Sequence, residues 1–434
     1  MNSVIKFRKI LNDHKRRTED AAKDLKITKK KIKEILSSKS KIDFRIINRA
    51  VEVWPVNYGD FFSFKDDTYL NYKVMRANAS SQSKRVMNRG GKPYYLYEDT
   101  VMSKLSPYRP ELITELAVVK NNKPTNTLVK FNNGHFLHQF TYFIGPVNFY
   151  YIENNKKKVA KMNTGDSMYI SPYVCHSFAT RENKKNYLGK ILALTYTDKI
   201  DNESLNELCA LGFEISKKYR INLKNNFLSF WTNLNHFMSI SSLSFEELKR
   251  QTKIDLKKIK NRKKIPSKTI LNQLSKFLNI DYRNLITPSN TVEVKIQKYK
   301  KNKNWFYPSK LNKRYLFVEL TNIPQLSHSK GYELNLLSEK KHHSFLEVPS
   351  HQYIYNLGKT KIFFIINKKN TGYLNPGDSM YIKPNTKHLF YKKGKLLVVR
   401  VGGRLSGDII HQISMMSEKN LKKTINDNRP WFNK

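Results

Sequence analysis

Cysteine is nearly absent: Cys175 and Cys209 are the 2 in a chain of 434 residues. That excludes a disulfide-stapled scaffold and suits a reducing compartment. Long apolar runs are missing as well. Nothing approaches the ~20 residues a membrane-spanning helix needs, and Met1–Asn12 carries scattered Lys and Arg in place of an apolar leader core. Acidic residues are scarce, 35 against 80 basic ones, for a formal charge of +45. The lysines run through the whole length beside abundant Asn and Ile, which AT-rich coding produces without a polyanionic partner. Charge alone therefore defines no nucleic-acid site. A cytoplasmic protein that spans no membrane is expected.

What is present is enough for real cores: 39% hydrophobic and 12% aromatic residues. The length suits several domains, and the domains repeat. "NTGDSMYISPYVCH" (163–176) returns as "NPGDSMYIKPNTKH" (375–388), and "HQFTYFIG" (138–145) returns as "HQYIYNLG" (351–358). "LKITKKKIK" (25–33) resembles "TKIDLKKIK" (252–260), and "VNYGDFF" (56–62) resembles "IDYRNLI" (280–286). A near-constant offset over four blocks indicates tandem duplication of a two-part unit.

The first part reads as helical. "EDAAKDLKITKKKIKEIL" spaces Ala22, Leu25, Ile27, Ile32, Ile35 and Leu36 at helical intervals, with Thr28 as N-cap. This is the outline of a helix-turn-helix, although Lys26 stands where a turn glycine is usual. The second part reads as short strands, "TLVKF", "FTYFI", "NFYYIE", "KKVAKM", "SMYIS" and "KILALTY", separated by turn residues. The expected class is α+β: a helix-turn-helix-like domain (1–75), a jelly-roll barrel (76–201), a second helical domain (202–295) and a second barrel (296–434). The stretches 202–218 and 290–304 fall between units, and the very basic 290–304 reads as a solvated linker.

Gly165, Pro172 and His176 recur at the same spacing as Gly377, Pro384 and His388. A glycine turn, a strand, a proline and a histidine opening the next strand resemble the second motif of the cupin barrels. His135, Gln139 and Gly145 fit the companion motif. Together, His135, Gln139 and His176 form a facial ligand set suited to non-haem iron. Residues i and i+4 of a straight strand lie ~13 Å apart, so the chain must bend between His135 and Gln139. In the second barrel Val348 aligns with His135, while Gln352 and His388 remain; no catalytic metal is expected there. His138 persists as His351, which assigns it to structure. His342 and His343 are adjacent and are expected at the surface.

These residues carry a family resemblance. The duplicated architecture, with "RGGKPYYLYEDT", "NNGHFLHQFTYFIGPVNFYY" and "MNTGDSMYISPYVCHSFATR", is similar to the non-haem-iron phosphonate oxygenases over nearly the whole chain. The resemblance implies Fe(II), with 2-hydroxyethylphosphonate and O2 as substrates. In the family's dioxygenases a glutamate six residues before the last histidine ligand completes the triad; here that place holds Ile170, and Gln139 matches the glutamine ligand of the methylphosphonate-forming members. Carbon–carbon cleavage to methylphosphonate and carbon dioxide (or bicarbonate) is therefore implied. The alternatives are the dioxygenase outcome, hydroxymethylphosphonate and formate, and a helix-turn-helix regulator reading DNA with Thr28–Leu36.

By the same resemblance Arg89, Tyr97 and Asn132 hold the phosphonate. Lys15 joins them from the first helical unit, and Lys15 and Tyr97 assist catalysis. Arg and Lys complement a phosphonate, and Tyr and Asn donate hydrogen bonds. DNA is not an expected partner. A homo-oligomer fits, with Lys15 closing either its own barrel or a neighbour's.

Overall fold

The computed structural model describes residues 3–62, 66–106, 108–196, 200–223, 225–287, 292–405 and 407–425. Its helices and sheets make it α+β. The helical pattern folds as read: Thr18–Asp24 and Lys29–Leu36 are helices, and Thr28 Oγ1 accepts the Lys31 amide at 3.1 Å. Lys26 between them adopts φ 54° and its counterpart Lys253 φ 61°. The turn thus keeps the left-handed residue that glycine usually supplies, at a cost of roughly 1 kcal/mol. Ala22, Leu25, Ile32 and Ile35 are buried against Phe7, Ile46, Ala50 and Trp54. In the second half Leu248, Leu256, Leu271 and Leu274 form the equivalent core with Phe230 and Leu234.

Two seven-stranded antiparallel sheets dominate the rest. The first runs Val294–Gln297, Ser167–Ile170, His138–Ile144, Lys190–Tyr196, Arg109–Glu115, Lys92–Asp99 and Arg85–Arg89. The second runs Tyr72–Met75, Ser379–Ile382, His351–Asn356, Gly394–Val401, Lys330–Leu336, Lys313–Glu319 and Asn304–Pro308, in matching order. A four-stranded sheet containing Val147–Glu153 and His176–Arg181 faces the first. A three-stranded one containing His388–Tyr391 faces the second.

Each large sheet borrows its edge strand from the other half. Tyr72–Met75 pairs with Ser379–Ile382, and Val294–Gln297 pairs with Ser167–Ile170. The repeated Gly-Asp motif clamps both crossings. Asp378 bonds Arg76 at 2.7 Å and the Ala77 amide at 2.8 Å; Asp166 bonds Lys298 and the Tyr299 amide, each at 2.9 Å. The 290–304 stretch is therefore not a solvated linker where it is described: Val294 and Ile296 pack against the core on the inner side of the first large sheet. "TLVKF" is no strand either. Asn126 captures the next amides, Leu128 N on its side chain at 3.0 Å and Val129 N on its carbonyl at 3.1 Å.

Strand alternation decides what faces what. Phe140, Tyr142, Leu192 and Leu194 point out of the first sheet and pack on Tyr353, Tyr381, Leu397 and Val399 of the second. Phe143, Ile191 and Ala193 point inward with Phe149, Met168, Ile170 and Phe178. His138 belongs to the outward set and Gln139 to the inward one.

Candidate metal centre

His135 precedes the strand His138–Ile144, and the chain bends at Phe136 and Leu137, which meets the geometric requirement set by the sequence. Gly134, just before His135, brings the loop against Tyr173. Its φ is 75°, and a Cβ there would come within 2.5 Å of the Tyr173 backbone. That close approach lets Tyr173 N donate to His135 O at 2.8 Å. His135 and His176 rings then meet edge-on, 5.2 Å between centroids.

Hydrogen bonds fix which atoms look into the cavity. His176 Nδ1 donates to Val174 O and His135 Nδ1 to Leu137 O, both at 2.8 Å, so in the neutral imidazole each Nε2 carries the lone pair. Burial pushes the His176 pKa down to about 3, which keeps it neutral. Gln139 Nε2 donates to Thr141 Oγ1 at 2.8 Å, which turns Oε1 toward His135 Nε2 at 3.0 Å. Two acceptors therefore face each other. Neutral acceptors repel at that distance unless a cation lies between them. The donor set fits a metal ion. Among the described residues no three His, Cys, Asp or Glu side chains form such a group; here the third donor is an amide.

The same cavity, about 150 Å³, is lined by Arg89, Tyr97 and Asn132 beside the three donors. Gly90 and Gly91, at φ 58° and 74°, close the hairpin that carries Arg89 as its last strand residue. The Arg89 guanidinium lies 4.7 Å from the Tyr95 ring centroid and donates to Lys130 O at 2.9 Å. Tyr95 in turn bonds Ser177 Oγ at 3.2 Å, next to His176, so the arginine and the histidine share one scaffold. Asn132 Oδ1 accepts the backbone amides of His176 and Gly134, at 2.8 and 3.1 Å. Its Nδ2 is thereby aimed at His176 Nε2, 3.2 Å away. Burial, then Glu111 and Glu115, push the Tyr97 pKa up to about 12, so its hydroxyl stays a donor.

Lys15 is not brought to this cavity within its own chain. It sits at φ 51° just after the Ser3–Asp13 helix, with Nζ on Asp13 O at 3.2 Å. His138 turns away and bonds Tyr169 OH at 2.7 Å, as His351 bonds Tyr381 OH at 2.6 Å. His343 is exposed, but His342 is buried and bonds Phe390 O at 3.1 Å, a correction to the surface expectation for the pair. The opposed faces of adjacent residues account for the split.

Sequence reasoning missed the acidic residues on Arg109–Glu115. Glu111 lines the cavity and pairs with Arg85 at 2.6 Å. Glu115, two steps deeper than Ile113 on the same face, is fully buried, and neither carboxyl oxygen has a hydrogen-bond partner among the described residues. Burial raises its pKa well above the carboxylate range, with Arg89 alone opposing. The alternation Glu111, Ile113, Glu115 was the available signal.

No protein-family model matches the chain. A solved structure of Streptomyces albus HEPD with 2-hydroxyethylphosphonate and Fe(II) bound superposes with a TM-score of 0.92 at 30% identity, covering 99% of this chain and 98% of that one. A 2-hydroxyethylphosphonate dioxygenase at 15% identity shares the fold, with a TM-score of 0.74 over 98% of this chain and all of that one. The architecture is thus that of the hydroxyethylphosphonate dioxygenases. The methylphosphonate synthase of Nitrosopumilus maritimus (strain SCM1) is 40% identical over 435 residues, 98% of this chain and 94% of the relative. The chain belongs to the methylphosphonate synthase family.

Proposed function

We propose that the protein is a methylphosphonate synthase: with Fe(II) held by His135, Gln139 and His176, it cleaves 2-hydroxyethylphosphonate with O2 to methylphosphonate and carbon dioxide (or bicarbonate). The observation that carries the reading is the pair of acceptors, His135 Nε2 and Gln139 Oε1, facing each other at 3.0 Å. The relative's 40% identity over nearly the full length supports the product. Fe(II) would supply Lewis acidity and O2 activation at this donor set. The chain's own groups do the rest. Arg89 neutralises the phosphonate, Asn132 Nδ2 and Tyr97 OH donate to its oxygens, and Tyr97 stays protonated throughout the neutral range.

The architecture is a tandem duplication of a helix-turn-helix-like domain and a cupin barrel: 1–75, 76–201, 202–295 and 296–434. Only the first barrel is catalytic. Two free cysteines and the family's chemistry suit a cytoplasmic enzyme, and no helix among the described residues is long and apolar enough to cross a membrane. Lys15 acts on the pocket of a second copy, since its own chain's cavity does not include it. Anaerobic Fe(II) titration tests the site: Gln139→Ala and His176→Ala should each abolish stoichiometric binding. Unchanged binding in both would refute this assignment of the ligands.

A further inference from the structure

The second half reproduces the frame of the metal site with one change that the alignment of motifs does not reveal. Asn385 N donates to Val348 O at 2.7 Å, as Tyr173 N donates to His135 O at 2.8 Å, and both donors are left-handed, φ 55° and 63°. Val348 therefore stands where His135 stands. Gln352 is paired with Ile382 as Gln139 is with Ile170. His388 Nδ1 donates to Thr386 O at 2.7 Å, the counterpart of the His176 bond. Two donors of the three persist, and His388 is fully buried.

The change lies on the neighbouring strand. Gln139 faces Thr195, and Gln352 faces Arg400 at the same register. Thr195 is short and leaves the cavity open. Arg400 reaches inward: its Nε donates to Gln352 Oε1 at 3.3 Å, and Gln352 Nε2 lies 3.5 Å from His388 Nε2. Its guanidinium lies 5.0 Å from the Tyr332 centroid and 5.5 Å from that of Phe317. No carboxylate forms an ion pair with it among the described residues. A guanidinium remains charged in such a setting. It thus presents a permanent cation to the very amide oxygen that, in the first barrel, looks toward the metal position.

We propose that Arg400 is the second barrel's built-in substitute for a metal ion, and that the residue at 195 and 400 decides which barrel can be metallated. Arg and a divalent cation cannot share the site, because both seek the same amide oxygen and repel each other in a medium of low dielectric. The inference rests on the reading of His135, Gln139 and His176 as the iron site, and the test separates the two.

Fe(II) bound per full-length chain is measured anaerobically, alongside thermal unfolding. Wild type should bind one iron. Val348→His alone should still bind one, because Arg400 remains; Val348→His with Arg400→Thr should bind two. Thr195→Arg should bind none while keeping a cooperative unfolding transition. Wild type binding none overturns the site reading itself. Wild type binding one while Val348→His binds two, or Thr195→Arg retaining its iron, overturns the role of Arg400. A double variant that folds and binds only one does so as well. If the double variant fails to fold, the two single substitutions decide.

Discussion

Gln139 and Ile170 are register partners on adjacent antiparallel strands, and both point into the first barrel. By the family resemblance the dioxygenases' glutamate falls where Ile170 stands, so the proposed site differs from theirs by moving one oxygen donor across a strand pair. An amide is neutral and a carboxylate anionic, so iron held by the proposed ligands would keep one more positive charge. Gln139→Ala with Ile170→Glu is expected to hold iron and divert product toward hydroxymethylphosphonate and formate. Phosphorus-31 NMR of the product mixture reads the shift; methylphosphonate as the sole product would contradict it.

Arg89, the proposed anchor of the phosphonate, lies on the Tyr95 ring. Removing it takes away charge-assisted hydrogen bonds, about 3 kcal/mol, or roughly a hundredfold in kcat/KM. Arg89→Lys keeps the charge but loses the planar fork and the stacking, so KM should rise more than kcat falls. Steady-state kinetics of both variants checks this, and an unchanged KM in Arg89→Ala would count against the pocket.

Glu115 makes stability depend on pH in a definite direction. Its carboxyl is held neutral in the folded protein by burial, with a pKa above the ordinary value. The folded state therefore binds more protons than the unfolded one, and stability falls as pH rises through the range between the two pKa values. The slope is about 1.4 kcal/mol per pH unit. Glu115→Gln stays neutral in both states and should be the more stable variant by a margin that widens from acidic pH, where the Glu115 carboxyl is protonated folded and unfolded alike, to mildly alkaline pH. Urea unfolding at the two ends measures it; parallel pH profiles would rule out a buried neutral carboxyl.

Lys15 lies outside its own chain's cavity, so its contribution is expected in trans. Mixing inactive Lys15→Ala with inactive His135→Ala through unfolding and refolding should recover roughly a quarter of wild-type activity, since random assembly gives that share of intact sites. No recovery, with oligomers confirmed, would place the lysine in cis.

Much of this was legible in the residues because it is local or repeated. Thr28 capped its helix, the Gly-Asp motif recurred, and the His135–Gln139 spacing demanded a bend, which falls at Phe136 and Leu137. What stayed hidden depends on pairing across long separations. "VEVKIQ" looks like a charged linker until it is set beside Ser167–Ile170, where Val294 and Ile296 find a core. Arg400 was invisible for the same reason: motif spacing aligns Val348 with His135, but only the register with Gln352 brings the guanidinium to the donors. Glu115 reads as a solvated strand residue in a lysine-rich chain until the sheet closes over it.

The central claim is tested most directly by phosphorus-31 NMR of the Fe(II)-loaded protein given 2-hydroxyethylphosphonate and O2. A methylphosphonate resonance growing at the expense of substrate is the expected result. Hydroxymethylphosphonate would keep the site and contradict the role given to Gln139, and unchanged substrate with iron bound would contradict the proposed function altogether.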